Sequence, residues 1–350
     1  MSQTTRYAKV LPKIGSERSQ LLNETKLRSL AETKNLTDIT GYLRESSYQP
    51  QISKIAIPIS SRKFEHALYE NLIETYIKII KNSPKKTANL LLICLSRFEI
   101  ENIKALIKAT NANLATEEKQ TKIYSAIESY LKRLQLFENA SKASTLKEIV
   151  TTLRKTEYAP ALKMGLQSFE EEGATTCFDV LLDKHYYELL WQAFQDLPRK
   201  EKRHAFFYIS LEVDTYILLM LLRGKLLEYE LNWLRVAVPG KRIQLPDKLV
   251  EDIVCSADFD SALKLIQQSP YSKYFTKEQT PSKTIAKAEN EVDKAVLEHI
   301  KKNRIMEIFN IGAVLSFLLQ KKFEIRNLIT ISLCVEAEKK PEDIVQHLIL

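Results

Sequence analysis

Glycine is scarce, with seven in 350 residues. So few conformational breaks, beside long stretches of helix formers, exclude a β-rich chain built on tight turns and predict an all-α fold. Two short stretches near Ala56 and Arg242 have strand-like composition, and either equally suits a loop. The four cysteines, Cys94, Cys177, Cys255 and Cys334, are widely spaced and form no C-x-x-C pair. That spacing excludes a zinc ribbon or dithiol motif and predicts free, mostly buried thiols in a reducing compartment. The five histidines form no H-E-x-x-H, and no G-x-S-x-G occurs. Gly224-Lys225 and Gly240-Lys241 lack both the earlier glycine and the following Ser or Thr of a phosphate loop. No catalytic, cofactor-binding or metal-ligating residue is therefore expected, and catalysis would need residues far apart in sequence.

Long apolar runs are lacking too. ANLLLICL and IGAVLSFLL are too short to span ~30 Å of hydrocarbon, and MSQTTRYAKV has no signal-peptide core. The expectation is a chain on the cytoplasmic side, touching a membrane only peripherally. Its net charge of +8 is unevenly placed, because residues 1–110 hold 18 Lys and Arg against 10 Asp and Glu, with 34 of each beyond. A basic first third suits an anionic membrane surface, an acidic protein or nucleic acid, and equally suits solvated lysines on helix backs. No recognised nucleic-acid motif accompanies it. Lys85 and Lys86 in this third, and Lys241 and Arg242 in the Pro239-Gly240 turn, are the candidate partner-interface residues.

What is present is repetition. FEIENIKALIKA from Phe98, LEVDTYILLMLL from Leu211 and FEIRNLITISLC from Phe323 begin 113 and 112 residues apart. A second landmark agrees: NLTDITGYLRESSY, TLKEIVTTLRKTEY and FDSALKLIQQSPY close on Tyr48, Tyr158 and Tyr271, which are 110 and 113 residues apart. Leu36, Ile39 and Leu43 stand on one helical stripe, as do Leu146, Ile149 and Leu153, and Phe259, Ala262 and Ile266. The first two copies carry Pro50 and Pro160 two residues after the tyrosine, so their helices are expected to stop there. Such a period exceeds that of a solenoid repeat and fits three similar helical domains, 1–118, 119–240 and 241–350. Glu99, Glu212 and Glu324 recur one residue into the second landmark, and with the three tyrosines they are expected to be structural.

FEIENIKALIKA, the paired LRESSYQP and LRKTEYAP, ADFDSALKLI and the C-terminal IFNIGAVLSFLLQKKFEIRNLITI together resemble the C subunit of V/A-type rotary ATPases, related to the d subunit of the vacuolar enzyme. Copy two departs from the pattern at Asp214-Thr215, where the other copies have Glu101-Asn102 and Arg326-Asn327. The resemblance implies a funnel of three helical domains about a pseudo-threefold axis. It also implies a non-catalytic rotor subunit between the membrane ring of c-type subunits and the D/F shaft, which transmits torque for ATP-linked H⁺ or Na⁺ transport. A generic helical scaffold and a basic nucleic-acid-binding module are the alternatives.

Overall fold

The computed structural model describes residues 6–350, and no strand occurs among them. In chain order the helices are α1 (Val10–Ser19), α2 (Glu24–Ala31), α3 (Leu36–Leu43), α4 (Gln49–Ile52), α5 (Ser61–Asn82), α6 (Lys85–Asn111), α7 (Thr116–Gln120), α8 (Ser125–Leu131) and α9 (Leu134–Ser141). There follow α10 (Leu146–Thr152), α11 (Ala159–Glu172), α12 (Thr176–Gln195), α13 (Arg199–Leu226), α14 (Leu231–Ala237) and α15 (Asp247–Cys255). The last four are α16 (Phe259–Ile266), α17 (Pro281–Asn303), α18 (Ile311–Glu336) and α19 (Pro341–Gln346).

The chain divides into two compact units. The first comprises residues through Ala105, Ala115–Glu138 and Met306–Leu350, and the second comprises Leu106–Leu114 and Asn139–Ile305. In the first, α18 is the central helix, packed against α5 and against α1 to α3. Ile325, Leu328 and Ile331 of α18 share one apolar core with Leu30, Ile39, Leu43 and Phe64. In the second unit α13 plays the central part, contacting α12, α16 and α17. By length and composition α13 could cross a membrane, which reading the shorter runs of the sequence overlooks, but 78% of its apolar window is buried. Most of its apolar surface is thus already covered by protein.

The repeated stripe is buried in all three copies. Ile39, Ile149 and Ala262 have no exposed surface, and neither do Leu43, Leu153 and Ile266. Each of these helices starts alike: Asn35 accepts from Asp38 N–H at 2.9 Å, Thr145 from Glu148 N–H at 3.2 Å and Asp258 from Ser261 N–H at 2.8 Å. A side-chain oxygen there satisfies one of the backbone donors that a helix start leaves unpaired. The helix ends come earlier than the prolines predict. α3 closes at Leu43 and α10 at Thr152, while Pro50 and Pro160 sit in the first turns of α4 and α11. Proline's fixed φ and missing N–H cost nothing in a first turn, so the residue expected to stop one helix starts another. α11 follows directly on Tyr158 and ends at Gly173, whose φ of +73° is the left-handed closure that glycine adopts without strain.

Asn35→Ala and Thr145→Ala should each lower unfolding stability by about 1 kcal/mol. Urea unfolding followed by circular dichroism checks this. An unchanged midpoint in both variants would remove the capping role.

Candidate functional site

The most heavily constrained polar groups lie on the two central helices. In the first unit, Glu324 of α18 is buried and accepts from the Tyr48 hydroxyl, from Leu22 N–H and from Lys321 Nζ at 3.1 Å. Lys321 Nζ also stands over the Tyr48 ring, 3.7 Å from its centroid. Spacing of three along the helix brings Lys321 and Glu324 onto one face, where charge, donor and aromatic ring meet out of water. Burial drives the Lys321 ammonium below its ordinary pKa, against the opposing pull of Glu324. Burial first, and then the Glu324 charge, raises Tyr48 well above its own.

The second unit has a counterpart without a lysine. Asp214 of α13 accepts from Ile243 N–H at 2.8 Å, Gln244 N–H at 2.7 Å and the Tyr271 hydroxyl at 2.7 Å. Burial raises the Asp214 pKa, and those donors oppose the rise. Glu212, the acid that recurs in the sequence pattern, is half-buried two residues earlier on α13. Sequence alignment of the copies marks Asp214 only as a departure from the pattern and gives it no role. Its signal is position, since an acid inside the apolar run LEVDTYILLMLL must find donors.

Glu99 is wholly buried on α6, where Arg133 Nη1 reaches its carboxylate at 2.8 Å. One turn on, Asn102 clamps backbone: its Oδ1 accepts from Tyr124 N–H at 2.7 Å and its Nδ2 donates to Tyr124 O at 3.2 Å. Asn327 clamps Ile349 in the same way, with both bonds at 2.8 Å. Each clamp spans 22 residues, a repeat signature that a search for local motifs cannot see. Tyr158 is fully buried, 5.8 Å from the His185 ring centre.

The surface candidates divide into two kinds. Lys85 and Lys86 are exposed in the first turn of α6. Lys241 is exposed and stands over Trp191, 5.4 Å from the ring centre. Arg242 is committed within its own unit, pairing with Asp247 at 2.5 Å while its carbonyl accepts from Trp191 Nε1 at 3.2 Å. Neither glycine-lysine pair forms a phosphate cradle. Lys225 donates to the carbonyls of Val254 and Ser256 at 2.8 and 2.5 Å, and Gly240 N–H donates to Glu188. Among the described residues no group of three or more His, Cys, Asp or Glu could hold a metal ion. Cys177 is buried, Cys94 and Cys334 are half-buried and Cys255 is exposed, all as free thiols.

These features describe an all-helical protein whose polar centres join helices to one another. Residues 10–347 match the family model described as ATP synthase (C/AC39) subunit, and the chain belongs to that family. It is 26% identical to the C subunit of the A-type ATP synthase of Methanocaldococcus jannaschii, covering 97% of this chain and 85% of the relative. To its counterpart in Methanothermobacter thermautotrophicus it is 25% identical, over 98% and 86% of the two chains. To that of Methanosarcina acetivorans it is 32% identical, over 63% and 59%.

Glu324→Ala should cost about 3–5 kcal/mol, because it strands a buried ammonium. Pairing it with Lys321→Met should recover a large part of that loss in urea unfolding, and a strictly additive double variant would break the proposed coupling. The tyrosines set an alkaline limit. Tyr271 is held well above its ordinary value of 10.0 by burial and the Asp214 charge. The native state then keeps a proton that the unfolded chain loses, so stability falls as pH rises beyond about 10. Tyr271→Phe should flatten that fall, and an unchanged slope would show that other groups cause it.

Proposed function

We propose that this chain is a non-catalytic central-stalk subunit of a V/A-type rotary ATPase, coupling the membrane ring of c-type subunits to the D/F shaft. The observation that carries this reading is the family match over residues 10–347. A relative named as the C subunit of an A-type ATP synthase, matching 97% of the chain, supports it. In this role the chain transmits torque between ion flow and the ATPase head and forms no bond itself. Buried helices joined by hydrogen-bonded ionic centres suit such a part, because close-packed interiors are stiff and transmit strain.

The triplicated sequence supports three helical domains, 1–118, 119–240 and 241–350, about a pseudo-threefold axis. The three capped helices ending near Tyr48, Tyr158 and Tyr271 are the elements common to them. Lys85, Lys86 and Lys241 are the surface groups proposed to face anionic neighbours, at the cytoplasmic face of the membrane.

The decisive experiment is capture of the tagged chain from its own detergent-solubilised membranes, with co-purifying bands identified by mass spectrometry. Recovery of the proteolipid ring with the D and F central-stalk subunits is expected. Recovery of soluble proteins or nucleic acid alone would remove the assigned function. Lys85→Glu with Lys86→Glu should weaken attachment to the membrane sector at low salt, and unchanged attachment would take those lysines out of the interface.

A further inference from the structure

At the start of α13 an open hollow of about 760 Å³ is lined by Phe194, Arg199, Lys200, Lys202, Arg203 and Phe206. All six lie in the second unit. Arg199, Lys202, Arg203 and Phe206 are spaced at i, i+3, i+4 and i+7, so one helix face presents three cations and an aromatic ring. The ring of Phe206 is 41% exposed, which is unusual for so large an apolar side chain, while Phe194 is buried beneath the hollow.

Lys202 donates to the neutral side chain of Gln195 at 3.1 Å, and among the described residues no carboxylate pairs with Arg199, Lys200 or Arg203. Their placement also works against the helix. The start of a helix carries the positive end of the macrodipole and favours acidic side chains; the first turn of α13 holds one, the buried Glu201, among the four cations Arg199, Lys200, Lys202 and Arg203. Arg199, Lys200 and Arg203 are exposed beside an exposed ring, at the end of the helix where the backbone dipole repels cations. An anionic partner would offset that repulsion.

We propose that this hollow docks an acidic amphipathic segment of a neighbouring protein subunit, its carboxylates on Arg199, Lys200 and Arg203 and an apolar side chain on Phe206. Charge complementarity selects an anion, and the shape selects a protein segment over a membrane surface: a concave site with an aromatic floor takes an inserted side chain, whereas headgroups present a plane. The proposal rests on the reading of the chain as a subunit of a larger complex. It adds the place and chemistry of one contact.

The test uses the full chain in its native membranes. A photo-crosslinking residue in place of Phe206 should join, on illumination of the assembled complex, to a segment of another subunit rich in Asp and Glu. Arg199→Glu with Arg203→Glu should weaken recovery of that subunit at least tenfold at low salt, and Asp or Glu to Lys changes in the cross-linked segment should restore it. Wild-type chain that captures no ATPase subunit would sink the complex reading itself. Wild-type capture, with the double variant equally effective at every salt concentration, would overturn the docking site alone. Cross-linking to lipid, or binding to phosphatidylglycerol vesicles that the double variant loses, would overturn the protein segment in favour of a membrane.

Discussion

A carboxylate buried in the middle of an apolar helix must be met by donors, and the packing of both compact units answers that demand. An ionised acid left alone in such a setting costs several kcal/mol, comparable to a large share of a domain's net stability. Glu324 is met by a hydroxyl, a backbone N–H and an ammonium, and Asp214 by a hydroxyl and two backbone N–H groups. The elements carrying those donors have little freedom. Tyr48 must lie where its hydroxyl reaches α18, so the preceding capped helix and its buried stripe are fixed with it.

Apolar contacts alone would specify this arrangement less tightly. α18 is buried on nearly all sides, and sliding a neighbouring helix along it by a turn would bring one set of leucines and isoleucines against another. The same slide would pull the Tyr48 hydroxyl from Glu324 and its ring from the Lys321 ammonium, leaving the buried ion pair without the groups that complete it. Hydrophobic burial supplies the driving force, while the polar centres make one register much better than its neighbours. The ring of Tyr48 contributes to both, since its face packs against the Lys321 ammonium as its hydroxyl meets the acid.

The part of this legible in the sequence is the part with a helical period. The stripes before Tyr48, Tyr158 and Tyr271 can be read from spacing, and every position in them is buried. The closing tyrosines are equally visible, because an aromatic residue returns at a nearly constant step. Their partners are not, since the link from Tyr48 to Glu324 spans 276 residues and that from Tyr271 to Asp214 spans 57. Hydrogen-bonded turns are missed for another reason. Ser46 and Ser269 each accept the N–H of the tyrosine two residues on, and small polar residues before a tyrosine look like ordinary loop. Pro50 and Pro160 mislead because proline's effect depends on its place in a helix, which local sequence does not give.

The departure of the second copy at Asp214-Thr215 has a physical account. In the first and last copies two side chains divide the work: Glu99 and Glu324 form ionic centres, while Asn102 and Asn327 clamp backbone three residues later. An asparagine does this with one acceptor and one donor, gripping both the N–H and the carbonyl of a single residue. Asp214 has two acceptor oxygens and no donor, so it takes the N–H groups of two successive residues, Ile243 and Gln244, and still receives Tyr271. One carboxylate thereby holds both the closing tyrosine and a backbone segment. With the backbone clamped at Asp214, the following position no longer needs an amide, and Thr215 turns its hydroxyl back to Leu211 O within its own helix. What reads in sequence as a lapse in the repeat is a second solution to the constraint that shapes the other two copies.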